Sequence, residues 1–227
     1  EGIDRLVKAM FESGGFTAKH VAIGVDIIER MLKSKCLKFL SFPACIIATG
    51  VRGIIKEMIR QRWFDVILTT CGTLDHDIAR VWKNYYHGSF MLDDKELHKH
   101  SISRLGNILV PNESYGIVLE KKLQTFFKDI FRERKELASY ELIWEIGKKL
   151  DKNSILYWAY KNKIPVIVPG ITDGAFGYQL WQFWQENRIK IDLLKDEQLL
   201  SDMVWNAKQS GALILGGGIS KHHTIWW

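Results

Sequence analysis

Proline is scarce and long apolar runs are absent. Four prolines in 227 residues leave little room for an extended linker, and the length suits one sizeable domain over 1–227. Apolar runs such as Val66-Ile67-Leu68 and Ala212-Leu213-Ile214-Leu215 fall far short of the roughly 20 residues that a bilayer-spanning helix needs. No basic segment followed by an apolar stretch opens the chain, so no secretory signal is expected, and the reading is of a cytoplasmic protein without membrane contact. Cysteine is limited to Cys36, Cys45 and Cys71, an odd number without metal-ligand spacing. That argues against a disulfide framework and a bound metal, and three reduced, partly buried thiols are expected. No internal repeat or low-complexity tract is present, and no G-x-G-x-x-G fingerprint follows the first strand signal.

What is present is ordinary globular composition, 47% apolar and 26% charged, rather than that of a disordered chain. The formal net charge of +6 raises nucleic acid as a partner, but the basic residues are scattered among acids. Phe131-Arg132-Glu133-Arg134-Lys135-Glu136 has the look of a solvated helix face with i,i+3 and i,i+4 pairs. Nucleic acid is therefore not the expected partner, and a basic surface suits an acidic protein equally well. The final residues, Thr224-Ile225-Trp226-Trp227, include no polar tail. Two tryptophans need something to pack on, so the domain is expected to continue beyond residue 227.

Helical and strand signals alternate. Val21, Gly24, Val25, Ile28, Met31 and Leu32 recur at period 3.6, which predicts a helix over 17–33 with Thr17 as its N-cap. A short strand follows at 37–41, a helix at 50–62 with a stripe of Val51, Ile54, Ile55, Met58 and Ile59, a buried strand at 65–70, and a helix at 75–81. The stretch 85–110 reads as loop. Helices are expected at 114–137, 139–150, 154–161, 175–185 and 196–209, with strands at 164–168 and 211–215. Pro165 must sit at its strand's start because it cannot donate to the ladder. Trp181 and Trp184 fall at helical spacing and are assigned to the core. Continuous apolar strands separated by helices imply an α/β fold, a Rossmann-like parallel sheet with helices on both faces.

In such sheets ligands bind beyond the carboxyl ends of the strands, and three strand ends share a chemistry. Thr69-Thr70-Cys71-Gly72, Thr172-Asp173-Gly174 and Gly216-Gly217-Gly218 combine small residues with hydroxyls and a carboxylate. They let a backbone approach a ligand closely, and the helix N-termini that follow can receive phosphate. Each has a plainer explanation. Asp75 and Asp77 can cap the helix after the first turn, Asp173 can make an Asx turn, and Gly216-Gly217-Gly218 can be a tight turn before a solvated Lys221-His222-His223 helix start. Asp75-His76-Asp77 does not form a metal site, because successive helical residues face apart. Cys71 lacks an identifiable base and is better read as packing than as a nucleophile.

Taken together and in order, these stretches resemble the deoxyhypusine synthase family. Two runs carry most of the likeness: Arg104-Leu105-Gly106-Asn107-Ile108-Leu109-Val110-Pro111-Asn112-Glu113, and Gly216-Gly217-Gly218-Ile219-Ser220-Lys221-His222-His223. Leu68-Thr69-Thr70-Cys71-Gly72, Ile164-Pro165-Val166 and Thr172-Asp173-Gly174 support them, so the likeness covers nearly the whole chain. The resemblance implies a Rossmann-like fold, NAD as cofactor and a homotetramer with active sites shared between subunits. It also implies transfer of the aminobutyl group of spermidine to one lysine of the translation initiation factor 5A precursor. In that chemistry NAD accepts a hydride from spermidine, 1,3-diaminopropane leaves, and the butyl-imine passes through an enzyme lysine to the acceptor lysine before the hydride returns.

By position, the resemblance assigns Ala44-Cys45-Ile46-Ile47-Ala48, Thr70, Cys71, Gly72, Asp173 and Gly217 to the NAD site. His222 matches the family's base and spermidine contact, and Asp75, His76 and Tyr178 fall at polyamine-facing positions. Three residues depart from the family's familiar eukaryotic members: His76 replaces an acid, Tyr178 replaces an aspartate, and Cys45 replaces an asparagine. The family's nucleophilic lysine lies in a Ser-Trp-Gly-Lys segment that these 227 residues do not contain, and Lys221 belongs to a different motif. The altered residues leave open a homospermidine-forming aminobutyltransferase and an inactive NAD-binding paralogue that regulates a partner subunit.

Overall fold

The computed structural model describes residues 2–227. The chain opens with two helices, α1 (Gly2–Ser13) and α2 (Ala18–Lys33), followed by strand β1 (Leu37–Phe42), the short helix α3 (Cys45–Ala48) and helix α4 (Arg52–Arg60). Strand β2 (Val66–Thr69) runs into α5 (Cys71–Trp82), and then come β3 (Tyr86–His87), α6 (Asp94–Lys99), β4 (Ile102–Leu105) and β5 (Ile108–Pro111). After α7 (Gly116–Ile130), the strand β6 (Glu136–Leu137), α8 (Ser139–Lys148), α9 (Ile155–Asn162) and β7 (Val166–Ile167) complete the middle of the chain. The remainder is α10 (Ala175–Asn187), β8 (Lys190–Ile191), α11 (Leu193–Trp205), β9 (Ser210–Ile214) and α12 (Gly218–Trp226).

Four strands form the central sheet in the order β7-β2-β1-β9, and every pairing in it is parallel. Pro165 lies just before β7 and uses only its carbonyl, which accepts from the Ile67 N–H at 3.0 Å. Alternation along the strands separates two cores. Leu40, Phe42, Ile67 and Val166 join the larger one with Ile55, Ile59, Leu74, Ile78, Phe127, Ile146 and Phe176. Phe39, Val66, Leu68 and Ile167 face the other way, towards Leu200 of α11 and the ring of Trp227. Both faces of β1, β2 and β7 are thus covered, as continuous apolar strands require, whereas the edge strand β9 has no buried residue. Each fully buried large side chain contributes about 1.5–3 kcal/mol to this arrangement.

Several expectations are corrected. Residues 85–110 are not loop: β3, β5 and β4 make an antiparallel sheet in that order. Its strands are two to four residues long, too short for period-2 alternation to show in sequence. The helix expected at 114–137 ends at Ile130, and Glu136–Leu137 pairs in parallel with β8. The helix expected at 75–81 begins at Cys71 instead. Thr17 precedes α2 but makes no side-chain cap. Val21 and Val25 of the α2 stripe remain substantially exposed, as does Ile54 of the α4 stripe. Trp181 and Trp184 are exposed rather than core, because the buried stripe of α10 is Phe176, Leu180 and Phe183, at i, i+4 and i+7. Cys71 is buried and Cys36 half-buried, but Cys45 is exposed where it opens α3.

Candidate functional site

The four parallel strands end on one edge of the sheet, and their turns are drawn tightly together. Successive strands build from β1 to β2 to β7 on one side, whereas β9 lies on the other side of β1. The carboxyl ends of β1 and β9 therefore flank a reversal of strand order, where open α/β sheets bind ligands. Beyond β9, Gly216 (φ +99°) and Gly218 (φ +76°) adopt left-handed backbone that favours glycine. A Cβ on Gly216 would meet Pro43 Cδ at 2.9 Å, while one on Gly217 or Gly218 would enter open space. The turns after β1 and β2 are joined by the Ala44 N–H, which donates to Thr70 Oγ1 at 3.0 Å. Gly72 is needed there, since a Cβ would lie 2.8 Å from that of Ala44. Below them the buried Thr69 hydroxyl donates to the Phe42 carbonyl at 2.7 Å.

The turn after β7 completes the edge. Cys71 Sγ donates to the Ile171 carbonyl at 3.0 Å, and burial, followed by the Asp75 charge, pushes its pKa up to about 12. Such a thiol is inert as a nucleophile at neutral pH. Asp173 is exposed in a turn closed by its own N–H bonding the Gly170 carbonyl at 3.0 Å. The structure thus brings together Ala44-Cys45-Ile46-Ile47-Ala48, Thr70, Cys71, Gly72, Asp173 and Gly217 on one edge of the sheet. Within that group Ile47 and Ala48 are buried and Cys45 faces solvent.

Asp75 and Asp77 do cap helices, but not the one they sit on, because α5 starts before either of them. Asp75 is buried, and its carboxylate accepts from Phe176 N–H at 2.7 Å, Ala175 N–H at 3.0 Å and Tyr115 OH at 2.8 Å. It thereby caps α10 and holds the Asp173 turn against α5. Burial outweighs these bonds and raises its pKa. Asp77 caps α9 in the same way, accepting from Ser154 OH at 2.6 Å and from the Ile155 and Leu156 N–H groups at 3.0 Å. It also accepts from Arg52 Nε at 2.7 Å.

His76 turns towards the antiparallel sheet. Its Nδ1 is 2.8 Å from Tyr85 OH, and its ring lies 5.3 Å from that of Tyr115. Burial, followed by the Arg80 charge, lowers its pKa to about 4, so the imidazole is neutral at pH 7. It opens onto a cavity of about 210 Å³ shared with Ser103, Asn112 and Tyr115. Neither Tyr85 nor Tyr115 was legible as a site residue, because each reaches α5 through tertiary contact. Tyr178 is exposed on α10 with its ring 5.5 Å from that of Trp181. His222 is exposed on α12, stacked on Trp226 at 6.2 Å. His223 points inward, with Nε2 3.0 Å from Glu197 Oε1 but without the alignment of a hydrogen bond. Among the described residues no three His, Cys, Asp or Glu side chains converge as metal ligands, and no helix is long and apolar enough to cross a membrane.

A parallel sheet with glycine- and hydroxyl-rich turns at a reversal of strand order defines an α/β protein of the open-sheet class, in which ligands bind beyond the carboxyl ends of the strands. The family model described as deoxyhypusine synthase matches residues 5–227. A probable deoxyhypusine synthase of Picrophilus torridus is 52% identical over 227 residues, covering 99% of this chain and 73% of that protein. One of Thermoplasma acidophilum is 52% identical over 216 residues, covering 94% of this chain and 70% of its own length. A crystal structure assigned to deoxyhypusine synthase of Entamoeba histolytica matches with a TM-score of 0.76 at 23% identity, over 95% of this chain and 76% of that one. That structural likeness bears on the fold, and the fold is shared. The chain belongs to the deoxyhypusine synthase family, a family of enzymes.

Proposed function

We propose that this chain supplies the NAD-binding edge and part of the polyamine site of an NAD-dependent aminobutyltransferase. Its substrates are spermidine and a lysine of the translation initiation factor 5A precursor, and it works in the cytoplasm as a homotetramer with shared active sites. The observation that carries this reading is the convergence of the Ala44, Thr70–Gly72 and Gly216–Gly218 turns at the strand-order reversal, in a chain of this family. These residues fit a dinucleotide. Open space at Gly217 and Gly218 admits close approach, the Thr70 hydroxyl and the Cys45 side chain stand at the rim, and the exposed Asp173 carboxylate suits a ribose hydroxyl. When bound, NAD supplies the hydride acceptor for oxidising an amine.

The chain's own residues divide the remaining work. His222, on the helix that starts from the glycine turn, moves a proton at its imidazole. Asp75 has both oxygens committed within the fold, so it acts by positioning the Asp173 turn rather than by gripping a polycation. His76 is neutral at pH 7, and Tyr178 pairs with Trp181. This side of the polyamine site therefore offers aromatic faces and hydrogen bonds in place of carboxylates, and aromatic faces attract ammonium groups. The scarcity of free carboxylates is also what keeps a diamine acceptor as a second reading.

The test is incubation with NAD, spermidine labelled in its butyl portion, and the factor precursor, alongside calorimetry of NAD binding. Label on the precursor lysine is the expected result. Label on an added diamine instead would favour the homospermidine-forming activity. NAD binding without transfer to either, in a protein whose mass includes the family's lysine segment, would favour the regulatory paralogue. No NAD binding would sink the cofactor assignment.

A further inference from the structure

A half-buried cation on the flank of the fold is left without a partner by everything described above. Arg80 lies in the last turn of α5, nine residues beyond Cys71, and so about 13 Å along the helix axis from the sheet's carboxyl edge at roughly 1.5 Å per residue. Its guanidinium carbon is 5.2 Å from the Tyr85 ring centroid. Among the described residues the guanidinium makes no hydrogen bond and no ion pair, because the neighbouring acceptors are taken. Asp77 is saturated by Arg52, Ser154 and two backbone N–H groups, and the Tyr85 hydroxyl is engaged with His76. Burial and the adjacent Arg52 charge hold the Arg80 pKa below its ordinary value. Two guanidinium groups thus face one fully used carboxylate in partly desolvated surroundings. A cation left in that state is unfavourable unless an anion shares the site.

The space for an anion is present. A cavity of about 90 Å³ opens beside Arg80, walled by Ala48, Thr49, Gly50, Tyr85 and His87, and Ala48 is shared with the carboxyl edge of the sheet. Gly50 has φ +130° and open space where a Cβ would project, so the wall is bare backbone at that point. The volume is far below the roughly 300 Å³ at which pockets hold nucleotide- or drug-sized ligands, and it suits one tetrahedral or planar oxyanion. We propose that this cavity is an oxyanion-binding site, adjoining the carboxyl-edge turns at Ala48 but distinct in its ligand, in which the Arg80 guanidinium takes a single phosphate or carboxylate group. The planar fork of donors on arginine matches either geometry with two parallel hydrogen bonds.

Thermal unfolding in increasing inorganic phosphate, with chloride adjusted to hold ionic strength constant, tests this in the wild type and in Arg80→Gln. The melting temperature of the wild type is expected to climb with phosphate by mass action. The concentration needed for the same rise should be at least roughly tenfold higher in the variant, the loss of a charge-assisted hydrogen-bond pair. Acetate in a parallel series separates the sources: a matching response assigns the site to carboxylates as well, and none restricts it to phosphate. NAD added beforehand should leave the phosphate response unchanged; its loss would merge the site with the carboxyl edge and overturn that distinction. An absent response in the wild type, or an equal response in Arg80→Gln, overturns the proposal. Should Arg80→Gln fail to fold, phosphorus NMR line broadening of inorganic phosphate by the wild type decides, and sharp lines at constant ionic strength overturn it.

Discussion

Replacing Asp77 by alanine should destabilise the protein severely without touching the turns at the carboxyl edge. The side chain is completely buried and ties three helices together: its own α5, the N-terminus of α9 through Ser154, Ile155 and Leu156, and α4 through Arg52. Asp77→Ala leaves three buried donors unpaired and strands a guanidinium whose side chain is only 13% exposed. Breaking a buried ion pair from one side costs about 3–5 kcal/mol. At roughly 2–4 °C per kcal/mol for a protein of this size, the melting temperature should fall by about 6–20 °C. Arg52→Met combined with Asp77→Ala removes both charges and should recover part of that loss. Urea or thermal unfolding at pH 7 of the wild type, the single variant and the double variant provides the comparison. A loss below about 1 kcal/mol, or a double variant no more stable than Asp77→Ala, would refute this account of the network.

Three further outcomes are expected. Burial raises the Asp196 pKa to about 6, above its unfolded value, so the native state binds the extra proton and stability should fall as pH rises from about 4 to about 6. The slope should approach 1.4 kcal/mol per pH unit at most and flatten in Asp196→Asn, as read by denaturant titration across that range. Alkylation at pH 8 followed by peptide mass spectrometry should modify the exposed Cys45 and spare the buried Cys71, whose pKa is about 12; labelling of Cys71 in the folded protein would contradict its placement. Gly72→Ala drives a Cβ to 2.8 Å from that of Ala44 and should cost about 1–3 kcal/mol in strain. It should weaken NAD binding measured by calorimetry, and unchanged affinity would detach this turn from the cofactor site.

The turns at the carboxyl edge are legible in the sequence because they are built from local signals. Apolar runs at 66–68 and 212–215 read as buried strands; the first is fully buried, the second is an edge strand without a buried residue, and the small residues after both lie in the turns at the carboxyl edge. Four of the central features followed from that pattern: the parallel sheet, helices on both faces, Pro165 before its strand, and the glycine turn before α12. The antiparallel sheet was missed for an equally local reason, since its short strands are too brief to set a period. The tryptophans of α10 were assigned to the core on spacing, yet the stripe one residue ahead of Trp181 is the one that faces inward.

The sequence alone determined the class of fold, the clustering of small and hydroxyl residues at the strand ends, and the family, because each rests on residue types in contiguous runs. What it left open was the employment of its charged groups. Asp75 and Asp77 sit two residues apart on one helix, and either could have capped that helix or faced a ligand. Only the tertiary structure decided that they cap α10 and α9, through bonds spanning 101 and 78 residues. It also decided that His76 is neutral and that, among the described residues, Arg80 meets the Tyr85 ring but makes no hydrogen bond or ion pair. A buried charge settles on whichever donors the packed fold brings within about 3 Å, and that proximity is a property of the assembled elements rather than of their order along the chain.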